Sequence, residues 1–305
     1  MKKTFIFCIL LVTYVYGALP NVASIDVIEP DIQGAFYYPK FSPDGTRLLM
    51  TKEQFVGLWE FDLRTGQTLL ISNAPGAGYE PVYSKDRDRI YYLQDTFEKG
   101  RRYRSLMEYH RNTKGSQVLI EKERLLTHPL QVTDHGVITR TQSKVLLVGK
   151  DTKSENPQTR FVHTFENRLT LYENGKEREL YPSGRGNYVW ASLSPTGDKI
   201  LYHKAGEGTF ICDLQENILA EFGYANAPVW SPNGQWIAYM KDYDDGHFIT
   251  ESEIWISSVD GKESAPLTNT KDIIEMYPQW SPDSKALTFH DLSGHIYIMK
   301  LHVTE

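Results

Sequence analysis

The chain has 305 residues, of which 40% are hydrophobic and 24% are charged, and its formal net charge at pH 7 is −6. This acidic balance argues against a general nucleic-acid-binding protein, and no apolar stretch after the first residues is long enough to span a membrane. Aromatic residues reach 12%, and 22 Gly with 15 Pro supply many turns, so the composition favours an all-β fold.

The first predicted element is a secretory signal peptide over residues 1–17. A short basic start precedes the apolar run from Phe5 to Val12, and cleavage is expected near Gly17. An uncleaved N-terminal anchor is the alternative. Cleavage leaves a single thiol, so no internal disulfide is expected. We therefore expect a periplasmic or secreted protein without a transmembrane segment.

One phrase then recurs along the chain, in which an opening residue pair leads to Ser-Pro-Asx and a turn. Six copies of decreasing quality have as their second residue Pro39, Pro81, Pro129, Ala191, Pro228 and Pro278. Pro fixes φ, Asx bonds its own backbone and Gly accepts a positive φ, so the phrase predicts a strand followed by a tight turn. Three further short strands follow in most copies, for example Trp236 to Tyr239 and Glu253 to Ile256.

Four antiparallel strands in each repeat of about 40 to 50 residues predict a β-propeller. We predict an all-β, six-bladed propeller that forms one domain over 18–305, with blades that start near residues 36, 78, 126, 188, 225 and 275. The last repeat has three strands, so Ala23 to Ile28 is expected to supply the fourth and close the ring. The run 150–160 is expected to be an exposed loop within the third repeat. An ordinary β-sandwich is the alternative, but it does not explain the recurring phrase.

The segments FSPDGTRLLM, WSPNGQWIAYM and WSPDSKALTF resemble the WD40-like repeats of the TolB propeller family. This resemblance covers nearly all of the chain after the signal, and such repeats also occur in prolyl-oligopeptidase-type peptidases. Two features depart from these families. The α/β domain that precedes the TolB propeller is not expected here, because few residues separate the signal from the first blade, and the Gly-x-Ser-x-Gly motif of a hydrolase is missing. The resemblance implies partners in the bacterial cell envelope, such as peptidoglycan-linked lipoproteins.

A propeller places the opening residues of its innermost strands around one mouth of the central channel. The binding candidates at this mouth are therefore Tyr38, Glu80, His128, Trp190 and Tyr277, with Ala227 in the remaining position. Aromatic rings and a carboxylate that converge there would suit a peptide end, a sugar or a cation. The alternative is that a residue before Pro is only held extended and packs the funnel.

The sequence carries no motif that identifies a catalytic residue or a cofactor, and none is predicted. Cys212 lies in a strand and is expected to be packed and inert. Asp242, Asp244 and Asp245 form the densest polar cluster, and clustered carboxylates suit Ca²⁺ or another divalent cation. Their spacing does not match the Asp-x-Asp-x-Asp-Gly calcium loop, so a solvated hairpin is favoured over a metal site.

A basic segment over 98–115 contains Arg101, Arg102, Arg104 and Arg111. A solvated outer hairpin is the expected structure, and a contact with an acidic partner or an anionic surface is the alternative.

Taken together, these features predict an exported, non-enzymatic, TolB-like propeller that binds a protein or peptide in the cell envelope. The alternative is a metal-dependent propeller enzyme of lyase, lactonase or cyclotransferase type, with its site in the channel. In that case Glu80 and His128, helped by His203 or His290, would be metal ligands or acid–base groups. A purely structural subunit of a larger envelope assembly is a third possibility.

Overall fold

The computed structural model describes residues 19–128, 131–149 and 152–303. The predicted signal peptide and Pro129 of the third repeat copy lie outside these ranges. Within them, no helix is both long and apolar enough to cross a membrane.

The strands form seven antiparallel sheets, which are the blades of a propeller. Blade 1 contains β2 (Tyr37–Phe41), β3 (Arg47–Thr51), β4 (Leu58–Asp62) and β5 (Thr68–Ser72). Blade 2 contains β6 (Val82–Tyr83), β7 (Arg89–Glu98), β8 (Arg101–His110) and β9 (Gly115–Glu123). Blade 3 contains β10 (Gln131–Thr133), β11 (Gly136–Arg140), β12 (Val145–Gly149) and β13 (Thr152–Glu155). Blade 4 contains β14 (Arg160–Phe165), β15 (Arg168–Glu173) and β16 (Lys176–Leu180).

The remaining blades have four strands each. Blade 5 contains β17 (Tyr188–Leu193), β18 (Lys199–Lys204), β19 (Gly208–Asp213) and β20 (Ile218–Gly223). Blade 6 contains β21 (Asn226–Trp230), β22 (Trp236–Asp244), β23 (Ile249–Ser258) and β24 (Ser264–Pro266). Blade 7 contains β25 (Glu275–Trp280), β26 (Ala286–Asp291), β27 (Ile296–His302) and β1 (Asn21–Ile28), which pairs with β27. A 3-10 helix, Glu53–Phe55, lies in the β3–β4 connection.

The all-β propeller built from antiparallel four-stranded blades is confirmed, but the predicted number of six blades is wrong, because the ring has seven. The additional blade is blade 4, which occupies the long interval between the third and fourth copies of the repeated phrase. Part of the run 150–160 is strand and not loop, since β13 and the start of β14 lie in it.

Blade 4 does not show the repeated phrase, because that phrase belongs to the innermost strand and its turn. The described strands of blade 4 take the second, third and fourth positions of a blade. Asn167, beyond the end of β14, accepts a hydrogen bond from the Tyr188 amide at the start of innermost strand β17. At the other end of β14, Arg160 donates to the carbonyl of Gly197 in the first turn of blade 5. β14 therefore runs as a second strand does, and the described part of blade 4 has no innermost strand with its Ser-Pro-Asx turn.

The core lies between the blades. Seven clusters of buried hydrophobic residues each join two neighbouring blades, and one of them joins blade 7 to blade 1. In β3, Leu48 packs toward Ile296 of blade 7, whereas its neighbour Leu49 packs toward Tyr92 of blade 2. Successive strand residues point to opposite faces of a sheet, so both faces of each blade are covered by a neighbour.

The recurring Ser-Pro-Asx phrase is explained by hydrogen bonds in the first turn of the blade. Ser42 donates from Oγ to Asp44 at 2.6 Å, and the same Oγ accepts from the Arg47 amide at 3.0 Å. Three other turns pair a serine with an acid or amide in the same way: Ser84 with Asp86, Ser231 with Asn233, and Ser281 with Asp283. Buried backbone groups need such partners, and the turn therefore keeps the same residue types.

Antiparallel order gives the ring two distinct faces. One face, which we call the upper face, contains the starts of the innermost and third strands and the ends of the second and fourth strands. The Ser-Pro-Asx turns lie on the opposite, lower face. The upper face contains the predicted channel mouth.

Candidate functional site: the channel mouth and the upper face

The channel mouth is shaped by a β-bulge that recurs at the start of the innermost strands. In blades 1, 5, 6 and 7 the register between the first and second strands slips by one residue, for example between Tyr37 and Lys40. A residue with positive φ lies at each slip and at the start of blade 2: Tyr38 (52°), Glu80 (49°), Trp190 (52°), Ala227 (46°) and Tyr277 (54°). The backbone of these residues is therefore not extended, so only the packing of the funnel remains of that alternative.

A left-handed backbone at a non-glycine residue costs roughly 1–2 kcal/mol, and it recurs here at five matching positions. A bulge of this kind bends the strand and re-aims the side chain. The structure therefore turns five of the six predicted mouth positions in the same way, all except His128, and no local sequence pattern signals the bulge.

Rings from four blades touch one another around the mouth. Tyr38 lies with its ring centroid 4.6 Å from Phe55 and 4.8 Å from Tyr277. Phe55 in turn contacts Tyr79 at 5.1 Å, and Tyr79 contacts His128 at 5.7 Å. The structure thus brings Tyr38, Tyr277 and His128 into one continuous set of rings, and it adds Phe55 and Tyr79, which the sequence analysis did not identify.

Glu80 supplies the carboxylate of the mouth. Its Oε2 lies 3.4 Å from Nζ of Lys40, and both side chains remain partly exposed. Lys40 and, to a lesser degree, His128 lower the pKa of Glu80, so the carboxylate is ionised at neutral pH. Tyr38, Phe55, Glu80 and Tyr277 line a cavity of about 50 Å³, which can hold one small group but not a whole ligand.

Trp190 and Ala227 stand apart from these rings. Trp190 packs against His203 at 5.3 Å and is 38% exposed, whereas Ala227 is buried and adds no functional group. His203 and His290 are also buried, and burial lowers the pKa of His290 to about 4. Both histidines are therefore neutral at pH 7, and His290 packs against Tyr38 and Tyr277.

The three aspartates of the cluster accept hydrogen bonds from neighbouring groups of blade 6. Asp242 accepts from Asn226 at 2.8 Å, Asp244 accepts from the Gly246 amide, and Asp245 accepts from the amides of His247 and Phe248. Across residues 19–128, 131–149 and 152–303, no three His, Cys, Asp or Glu side chains are grouped so that they would hold a metal ion. Asp244 and Asp245 thus act as caps of the turn, whereas Asp242 bonds Asn226 at the start of β21.

Cys212 is fully buried in β19, and burial raises the pKa of its thiol to about 12. The thiolate is the reactive form, so we expect a thiol reagent at pH 8 to leave the native protein unlabelled. The measurement is labelling of a Cys8→Ser variant, in which Cys212 is the only thiol, before and after unfolding in urea. Rapid labelling of the native variant would show that β19 opens readily.

The large hydrophobic side chains that are exposed among the described residues fall into two sets. One set lies on outermost strands: Ile25, Val27, Leu70, Val118, Ile218 and Leu219. The other set lies on the upper face: Val56, Phe97, Leu125, Tyr181, Trp190, Tyr224, Tyr243, Phe248 and Leu292. None of these side chains lies in the turns of the lower face. Exposed apolar groups of this size that collect on one face are typical of a protein interaction site.

No family model matches the chain, and no curated protein matches it. Among solved structures, the β-propeller domain of Cps50 (Swd1) from Myceliophteria thermophila is similar, with 11% identity, a TM-score of 0.63, and coverage of 92% of this chain and 99% of that chain. An oligogalacturonate lyase from Vibrio parahaemolyticus has 12% identity and a TM-score of 0.50, over 90% of this chain and 93% of that chain.

TolB from Acinetobacter baumannii has 18% identity and a TM-score of 0.48, over 76% of this chain and 54% of that chain. The solved structures that resemble the chain therefore include TolB, but the TolB family is not shown by any of these comparisons. At such identities a likeness shows the fold alone. What this chain shares with these proteins is the β-propeller.

Proposed function

We propose that the chain is an exported, non-enzymatic propeller that binds a protein or peptide of the bacterial cell envelope through its upper face. One observation carries this proposal. Among the residues that the structure describes, the large exposed hydrophobic side chains that are not on outermost strands lie on the upper face, and none lies in the lower turns. Aromatic side chains with exposed rings are the residues that contribute most to protein interfaces, and the set includes Phe97, Trp190, Tyr243 and Phe248.

The channel mouth supports the same proposal. Its rings and the Glu80–Lys40 pair offer apolar contact together with one charge of each sign in a small cavity. A peptide end or a single side chain of a partner fits that size better than a whole small-molecule ligand does. The signal-like start of the chain and the TolB-like repeats support the export and the envelope location.

The test is recovery of a partner from detergent-solubilised bacterial envelopes, followed by direct binding with the purified partner. We compare the wild type with an upper-face variant, Phe97→Ser with Trp190→Ala and Phe248→Ser. The matched control removes exposed apolar side chains from outermost strands, Leu70→Ser with Ile218→Ser. We expect the upper-face variant to lose at least tenfold in affinity, because aromatic anchors at interfaces contribute about 2 kcal/mol each, and the control to bind as the wild type does.

Equal binding by the upper-face variant would overturn the proposal for this face. The enzymatic alternative has a different signature on the same preparation. A divalent metal retained in equal molar amount by the purified protein, together with no recovered partner, would favour an enzyme that uses Glu80 and His128 in the channel.

A further inference from the structure

Two long hairpins project from the upper face and carry opposite charges. The β7–β8 hairpin, which we call the arginine hairpin, has Lys99, Arg101 and Arg102 at its tip. The β22–β23 hairpin, which we call the aspartate hairpin, has Asp244, Asp245 and Glu251 at its tip. The strands of these hairpins have nine or ten residues, whereas the strands of blade 1 have five.

These charges are largely unneutralised within the described chain. Lys99 and Arg101 make no ion pair with a described residue, and Arg102 reaches Asp95 only at 3.8 Å. On the aspartate hairpin, Asp244 and Asp245 accept hydrogen bonds from backbone amides of their own turn but pair with no described cation. The arginine hairpin also carries Glu98, which pairs with Lys122 of β9, and Asp95, which lies 3.3 Å from Arg104. Its tip keeps a net positive charge, and the tip of the aspartate hairpin has a net negative charge.

An aromatic side chain accompanies the charges on each tip. Phe97 on the arginine hairpin is 66% exposed, and Phe248 on the aspartate hairpin is 76% exposed. An exposed phenylalanine ring is costly in water, so covering it stabilises a contact. Both hairpins thus combine an apolar tip with a strong charge.

The positions of the two hairpins in the ring allow the oppositely charged hairpins of two copies to meet. They belong to blades 2 and 6, which lie on either side of blades 7 and 1. A two-fold axis that is perpendicular to the channel and passes through blade 4 exchanges blade 2 with blade 6. When two copies meet by their upper faces about this axis, each arginine hairpin faces the other copy's aspartate hairpin, and the contact forms twice.

We propose that the upper face binds a second copy of this chain in this arrangement, with the arginine hairpin of one copy against the aspartate hairpin of the other. This inference deepens the proposed function, since it uses the same face and names a partner for it. Exposed ion pairs contribute little free energy each and are screened by salt, so the dimer is weak and sensitive to salt. A second copy and an envelope partner compete for the face.

The test is sedimentation equilibrium of the purified chain at about 50 mM and about 500 mM NaCl. One variant reverses the arginine hairpin with Arg101→Glu and Arg102→Glu. The other reverses the aspartate hairpin with Asp244→Lys and Glu251→Lys and keeps Asp245 as the cap of the turn. We expect the wild type to dimerise at low salt and each variant alone to dimerise at least tenfold more weakly, because like charges then meet at both contacts.

An equimolar mixture of the two variants is the decisive sample. One contact of the mixed dimer then joins the two reversed hairpins and the other joins the two native hairpins, so both contacts are complementary. Restored dimerisation in the mixture supports the proposal. A wild type that stays monomeric at low salt, or reversal variants that dimerise as the wild type does, would overturn it.

These outcomes are separate from those of the proposed function. A monomeric wild type that still captures an envelope partner through Phe97, Trp190 and Phe248 would refute the dimer alone. A charge-dependent dimer that captures no envelope partner would refute the proposed function alone. All four substituted residues lie at exposed hairpin tips, so we expect each variant to fold. Thermal unfolding followed by circular dichroism checks this.

Discussion

Replacement of Gly294 by alanine is expected to lower the free energy of unfolding by about 3–4 kcal/mol. Gly294 lies in the β26–β27 turn of blade 7, and its carbonyl accepts a hydrogen bond from the Phe36 amide at 2.8 Å. An added Cβ would stand 2.3 Å from Cβ and 2.8 Å from Cα of Ala35. Because Ala35 leads into blade 1, the clash separates the blades at which the ring closes.

The matched control is Gly197→Ala. Both glycines have a left-handed backbone, with φ of 81° at Gly294 and 73° at Gly197, but a Cβ at Gly197 meets no atom within 4 Å. The control therefore keeps the backbone strain, about 1 kcal/mol, and lacks the clash. Urea unfolding followed by tryptophan fluorescence measures both variants. Equal losses of stability would show that the closing contact between blades 7 and 1 adapts to the methyl group.

The propeller could be predicted from the sequence because the first turn of a blade imposes fixed residue types. Ser42 Oγ donates to Asp44 and accepts from the Arg47 amide, so any blade that uses this turn repeats the serine and the acid or amide. The pattern therefore reports innermost strands. Blade 4 has no described innermost strand, so a search for this phrase does not count it.

The sequence of blade 4 contains a different signal, two short hairpin turns. Asn174-Gly175 separates β15 from β16, and φ is positive at both residues, as a two-residue hairpin turn requires. The turn between β14 and β15 is also of two residues, Glu166 and Asn167, with positive φ at both. Hairpin turns, and the long interval of the repeat in which they lie, would have predicted the seventh blade.

The channel mouth was predicted as a set of positions but not as a shape. The ring geometry placed Tyr38 and Tyr277 at one mouth, and the structure has their rings 4.8 Å apart. Phe55 comes from a loop between the second and third strands, and its place beside Tyr38 depends on tertiary contacts that no local pattern carries. The opposite charges of the two long hairpins could likewise not be related to each other before the places of blades 2 and 6 in the ring were known.

The last prediction concerns a buried carboxyl group on blade 7. Glu275 is 1% exposed, and its Oε1 accepts a hydrogen bond from Thr270 Oγ1 at 2.9 Å. Its Oε2 is buried without a hydrogen-bond partner among the described residues, and so is Oε2 of Glu253, which accepts from the Thr270 amide through its other oxygen. Burial, with smaller contributions from Glu253 and Asp291, raises the pKa of Glu275 to about 7.

The sign of the pH dependence follows from this shift. In the unfolded chain the group titrates near its ordinary value of 4.5, and in the folded chain it titrates near 7. Below pH 4.5 the group is protonated in both states and costs nothing. Between pH 4.5 and 7 the folded state holds a proton that the unfolded state has released, so the free energy of unfolding falls as the pH rises. Above pH 7 the full cost, about 3 kcal/mol, is present.

We therefore expect Glu275→Gln to be more stable than the wild type at pH 8 by about 2 kcal/mol and to lose this advantage as the pH falls to 4.5. The glutamine keeps an oxygen for Thr270 and carries no charge to bury. Urea midpoints of both proteins between pH 4.5 and 8 measure the difference, and the exposed substitution Glu251→Gln controls for the change in net charge. A difference between Glu275→Gln and the wild type that does not vary with pH would show that Glu275 is ionised in the folded protein throughout, with a partner for its second oxygen.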